Sequence, residues 1–307
     1  MLEKMTDADH ISINNIDQRG GNLNHSFKWK DSYTYFLFIV PALAYVLALS
    51  FYPAAEAVFG SFQTPTKHFV LSNYSAVISM GLVTSVVDTV IVSIGALIIQ
   101  FFLALAIATI LTKRFAGKGA FSTLIILPFG VATVVSGFIF SIVFSAVGGY
   151  ANSFLVSLGI HPVNWYANRY SEMVIVMFSD SWKNTPLVAL ILLSGLTSLS
   201  PTLRESAMVD GAGPLRRFMH ITAPNIKGTM AIAMMIRGVS EFNIFALPLI
   251  LIGYHPILLT TLVYENYNLS SVTLYYSYAA AVFLLLFILV FSSIIIWAGG
   301  VKSYASS

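Results

Sequence analysis

Six long, predominantly apolar stretches, at about 35–59, 82–111, 120–147, 173–199, 226–252 and 275–298, decide most of what this chain can become. A helix needs about 20 apolar residues to cross a hydrocarbon core of roughly 30 Å, and each stretch is long enough. The stretches are continuous rather than alternating at period two, so a lipid-facing β-barrel does not fit. Nor can a soluble fold hide them. Only 9% of the 307 residues are charged, against about 25% in a typical soluble protein, and 57% are hydrophobic. A polar shell cannot be built from so few charges. Composition excludes an ordinary soluble enzyme, a disordered chain and a nucleic-acid-binding domain. The expected fold class is all-α: a polytopic membrane protein with six transmembrane helices.

The remaining bulk features exclude further classes. A net charge of +3 is a weak bias, and the basic residues are dispersed, so no nucleic-acid partner is expected. With no cysteine there is no disulfide framework, thiolate nucleophile or zinc–thiolate site. The first 30 residues are polar and mixed in charge, so no removable signal peptide is expected. The six histidines are scattered, with no pair at helical spacing, and no metal site is expected.

Lysine and arginine placement orients the spans. Lys4, Arg19, Lys28 and Lys30 precede the first span; Lys113, Arg114 and Lys118 follow the second. Arg204, Arg216, Arg217 and Lys227 follow the fourth, and Lys302 follows the last. The opposite loops carry only Lys67 and Arg169. The positive-inside rule therefore places both termini in the cytosol. The expected organisation is a cytosolic leader at 1–34, a transmembrane domain at 35–300 and a cytosolic tail at 301–307. Short interfacial helices are expected in the outer segments 148–171 and 253–272. Asn24, Asn73 and Asn268 each open an N-x-[ST] triplet, and the last two fall in outer loops.

The loop at about 200–225 is longer than a simple connector and carries its own helix punctuation. Ser200 precedes Pro201 as an N-cap, and Gly211 is placed to stop the helix that follows. A second start at Gly213-Pro214 is expected to run to Pro224, with Phe218 and Ile221 on one face. Two short helices meeting at a glycine form a compact knob that presents Leu203, Ala207 and Phe218 for docking.

The residues Glu205-Ser206-Ala207, Asp210-Gly211-Ala212, Phe218, Ile221 and Pro224 fit E-A-A-x-x-D-G-A-x-x-x-x-x-F-x-x-I-x-x-P, with Ser206 replacing the first alanine. This resembles the EAA loop of binding-protein-dependent ABC importer permeases. Further similarities run from Leu37-Phe38…Pro41 to Tyr278-Ala279-Ala280-Ala281, and point to the carbohydrate-uptake (maltose/glycerol-phosphate-type) branch. The resemblance implies a sugar permease of the cytoplasmic membrane whose loop supplies coupling helices. Glu205, Ser206, Ala207, Asp210, Gly211, Ala212 and Phe218 would engage the ATPase. It also implies a second homologous permease subunit, two ATP-binding subunits that hold ATP and Mg, and an extracellular sugar-binding protein. This chain itself would carry no cofactor and no enzymatic activity; it contains no G-x-x-x-x-G-K-[ST] loop. An ion-gradient-driven secondary transporter or channel is the alternative class.

Polar residues inside apolar runs are costly and face a cavity or a partner. Asp88 and Gln100 lie in the second run, and Asp88 is expected to make a helix-packing contact. Asp180, Trp182, Lys183, Asn184 and Pro186 interrupt the fourth, where a kink or break is expected. Arg237, Glu241 and Asn243 lie in the fifth, with Asn243 where the family often has Asp. Asp180, Trp182, Lys183, Asn184, Glu241 and Asn243 are the candidates for a substrate pathway. Internal ion pairs, Asp180 with Lys183 and Arg237 with Glu241, are the competing role for the charged members.

Overall fold

The computed structural model describes residues 29–299, so the leader ahead of Trp29, Asn24 and the 301–307 tail lie outside the described residues. The chain divides into two units, Met1–Ala55 and Glu56–Ser307. Helix α1 (Trp29–Val46) starts six residues inside the expected leader and continues through a π-helical turn, Leu47–Phe51, into α2 (Tyr52–Gly60). The π turn falls just ahead of Pro53, which has no N–H to donate and would collide with a regular i−4 carbonyl.

The second unit contains α3 (Ser72–Ser79), α4 (Leu82–Leu111), α5 (Lys118–Ile126), α6 (Thr133–Val143), α7 (Tyr150–Ser157) and α8 (Arg169–Thr197). It continues with α9 (Pro201–Val209), α10 (Pro214–Arg217), α11 (Ala223–Asn225), α12 (Lys227–Phe242), α13 (Ala246–Leu251), α14 (Leu259–Leu269) and α15 (Thr273–Gly299). Among the described residues there is no strand, only an isolated bridge between Gln63 and Phe69. Three helices are long and apolar enough to cross a membrane, Phe36–Gly60, Leu82–Leu111 and Thr273–Trp297. A fourth is added if a bent pair counts as one span.

That bent pair corrects the expected third span. Lys118–Gly130 and Thr133–Val143 meet at 99° instead of running straight. Pro128 and Gly130 close a 3₁₀ turn, and Val131 and Ala132 are extended, so the helix cannot carry through. The expected fourth span departs in the opposite sense: α8 is continuous for 29 residues despite Pro186. A proline removes one backbone hydrogen bond, and packing on both sides holds the turn closed.

α4 shows the logic of the core. Its buried stripe includes Ser85, Asp88, Thr89, Ser93, Ala96, Gln100, Ala104 and Ala108, while Val83, Val87, Ile91, Ile98 and Phe102 point outward. All of the helix's charged and amide side chains are inside, with small residues and the aliphatic Leu82, Val92, Leu97 and Leu111, while its outward face is apolar, unlike that of a soluble amphipathic helix. Small residues let backbones approach where lipid offers no hydrophobic contrast. Ala104 and Ala108 accordingly pack on Val188, Ala189 and Leu192 of α8 and Ala233 of α12. Gly238 of α12 serves the same end, since a Cβ there would lie 2.2 Å from Phe291 of α15.

Candidate functional site: a buried charge cluster and a helical loop

Two places gather the chemistry. The first lies between α4, α8 and α12. Arg237 pairs with Asp180 through its guanidinium and with Glu241 one turn along its own helix. Gln100 of α4 completes the cluster. Its amide donates to Asp180 Oδ2 at 2.9 Å and Glu241 Oε2 at 3.3 Å, and its carbonyl accepts from Arg237 Nε at 2.8 Å. Asn184 Nδ2 donates to Asp180 Oδ1 at 2.8 Å. Ser93 ties the backbone of Glu241 to α4 through a 3.2 Å hydrogen bond. Burial of such ions is tolerable only with this density of partners. One acceptor is left over: Glu241 Oε1 is buried without a hydrogen-bond partner among the described residues.

The expected Arg237–Glu241 pair is present, whereas Asp180 turns to Arg237 of α12 rather than to Lys183. Lys183 is 9% exposed, and its Nζ lies 5.7 Å from the ring centroid of Phe129, at the break between α5 and α6. Trp182 joins an aromatic group, edge-on to Phe140 at 5.3 Å. Asn243 stands apart. It is exposed at the end of α12, with its amide donating to Val239 O at 2.9 Å. The six pathway candidates therefore divide: Asp180, Asn184 and Glu241 share one buried network, Trp182 and Lys183 face the α5–α6 side, and Asn243 faces out.

Gln100 and Arg237 are the residues that sequence reasoning left out of the site. Each was visible as a polar interruption in an apolar run, but their convergence needed the packing of three helices. Asp88 makes the expected packing contact, accepting from Arg169 Nε at 2.8 Å, which fastens the start of α8 to α4. Asn73, which opens one of the N-x-[ST] triplets, has its side chain turned into the fold. It is buried, and its amide donates to Ser61 O at 2.9 Å and Gln63 O at 2.8 Å.

The second place is the loop. Pro201 opens α9 as expected, although the Ser200 side chain makes no cap and meets Thr202 Oγ1 at 2.6 Å instead. Gly211 ends the helix at φ 72°. The Gly211 amide donates to Met208 O at 3.1 Å and the Ala212 amide to Ala207 O at 3.0 Å. These two bonds define a Schellman stop, which satisfies the final carbonyls without any side chain. Asp210 contributes its backbone amide to Ser206 O at 3.0 Å.

Ala207 is buried rather than presented. Phe218 is half-buried against the α4 and α8 ends. The presented surface consists of Leu203, Met208, Val209, Leu215 and Met219, with Val209 88% and Leu215 75% exposed. Glu205, Ser206 and Asp210 are also exposed. Pro224 does not end the second helix. A π turn at Phe218–Thr222 precedes it, the same arrangement seen ahead of Pro53, and the break comes two residues later at Ile226.

Residues 100–298 match the family described as "Binding-protein-dependent transport system inner membrane component". The chain belongs to this family. Among its relatives, the trehalose/maltose transport system permease protein MalF of Thermococcus litoralis is 31% identical over 90% of this chain and 96% of its own length. The trehalose transport system permease protein SugA of Mycobacterium tuberculosis is 29% identical over 68% of this chain and 70% of its own. In fold, this inner membrane component is similar to a chain of a bacterial alginate ABC transporter, solved in complex with an alginate pentasaccharide-bound periplasmic protein. The TM-score is 0.73 at 22% identity, covering 88% of this chain and 95% of that one. The loop and the four residues at the centre of the cluster, Gln100, Asp180, Arg237 and Glu241, fall inside the matched segment of the family.

Proposed function

We propose that this inner membrane component is the permease subunit of an ABC importer that moves a sugar inward across the cytoplasmic membrane. The observation that carries the reading is the loop: two short helical segments, the first stopped by backbone hydrogen bonds at Gly211, that show apolar side chains to solvent, in a chain of this family. An exposed apolar patch on a rigid frame suits a protein partner. In this reading α8 and the broken α12–α13 complete six spans, with both termini in the cytosol. The loop is the lever that an ATP-binding subunit moves. A second permease chain, two ATP-binding subunits holding ATP and Mg, and an extracellular sugar-binding protein complete the assembly. This chain performs no hydrolysis.

Sugar as cargo is supported by the relatives named for trehalose and maltose and by the chemistry of the α4–α8–α12 interior. Neutral sugars are bound by fixed donors and acceptors beside aromatic faces. Glu241 Oε1 is an unfilled acceptor, and Asn184, Lys183 and Trp182 lie on the same helix as Asp180. Glu205→Lys in the assembled complex tests the lever. Uptake and sugar-stimulated ATP hydrolysis are expected to fall together, while the complex still binds ATP. Unchanged coupled rates would sink this reading.

A further inference from the structure

A crevice of about 330 Å³ opens between the loop and the ends of α4 and α8, and its lining has a definite chemistry. Lys113, just past the end of α4, and Arg217, at the end of α10, both line it. Thr109, Thr112 and Thr222 add three hydroxyls, and Phe218 contributes an apolar wall. No carboxylate is among the lining residues. Among the described residues neither Lys113 nor Arg217 makes an ion pair. Thr112 commits its hydroxyl proton to Thr109 O at 2.7 Å, so the hydroxyls of Thr109 and Thr222 are the ones left to donate to a guest. The volume lies at the lower end of small-molecule sites.

We propose that this crevice binds a phosphate group. Two uncompensated cations supply the charge, and the Thr109 and Thr222 hydroxyls donate hydrogen bonds to the oxygens. The guanidinium can engage two phosphate oxygens at once, whereas the ammonium acts as a point charge. Basic pockets between membrane helices on the cytosolic side are suited to anionic lipid headgroups, and a soluble phosphate offers the same chemistry. The site touches both the loop and the helices that would follow its movement. An occupant would therefore bias the loop only through different affinity for two loop positions. That consequence rests on the coupling reading; the binding does not.

The test uses the full-length protein in nanodiscs, with hydrogen exchange of the Thr109–Lys113 and Gly213–Thr222 amides as the readout. One arm raises the fraction of phosphatidylglycerol in phosphatidylcholine. A second keeps phosphatidylcholine alone and adds inorganic phosphate. Protection of these amides in the first arm identifies a lipid headgroup, and protection in the second identifies a soluble phosphate. Lys113→Gln, at an exposed position outside the loop, is expected to raise the half-saturating anion level about fivefold, and Lys113→Arg to restore it. Absence of protection in both arms overturns the proposal. So does protection that Lys113→Gln leaves untouched, which would mean a general response to surface charge.

Discussion

The interior between α4, α8 and α12 and the loop at 201–225 handle charge in opposite ways. Inside, Arg237, Asp180, Glu241 and Gln100 find their partners within the chain, and almost nothing charged is left facing outward from α4. On the loop, Glu205 and Asp210 stay exposed and unpaired among the described residues, next to apolar side chains in solvent. The difference separates two kinds of polar residue. One kind completes a structure, so its removal is felt as stability. The other is incomplete in this chain, so its removal is felt only when a partner is present.

The sharpest way to break this contrast is Arg237→Met. It strands two buried carboxylates and is expected to cost about 3–5 kcal/mol, read as a lower melting temperature of the purified protein in detergent. Adding Asp180→Asn and Glu241→Gln to the same variant is expected to recover most of the loss. Failure to recover would mean that the cluster matters through shape rather than charge. Asp88→Asn comes next. Asp88 is buried, but its partner Arg169 is 41% exposed and water can compensate it, so about 2 kcal/mol is expected by the same measurement.

Gly211→Ala falls within the loop but acts on its frame rather than on its presented surface. An alanine at φ 72° costs about 1–2 kcal/mol, confined to the stop. Hydrogen exchange at the Ala212 amide is expected to rise while the global melt barely moves. Val209→Ser is the smallest in stability, within about 0.5 kcal/mol, because the side chain is already in solvent. In the assembled complex it is nonetheless expected to lower sugar-stimulated ATP hydrolysis. A variant of the loop's outward side chains that melts early but stays coupled would contradict this division.

What could be read from the sequence follows the range of the physics. α4 spans the expected 82–111, since a run of that length has one way to satisfy its backbone in lipid. The stop at Gly211 was legible because it is local: a glycine after a good helix former, two residues from a new proline start. Four features were not. The break after Pro128 and the continuity through Pro186 come from prolines in similar apolar settings, and only neighbouring helices decide which one gives way. The passage through Pro224 depends on a π turn that no spacing announces. Asp180 was matched with Lys183, three residues along, because sequence shows neighbours on one helix. Its actual partner comes from α12, which sequence distance hides.

The Schellman stop has a consequence for how such a loop can change over time. Its geometry is held by main-chain bonds, one positive-φ glycine and two small residues, Ala207 and Ala212. The outward residues Val209, Leu215 and Met219 take no part in holding that frame. They are therefore free to drift in step with whatever surface they meet, while the bracket that presents them stays fixed. Specificity for a partner can be rewritten here by substitutions that leave the chain's own architecture untouched.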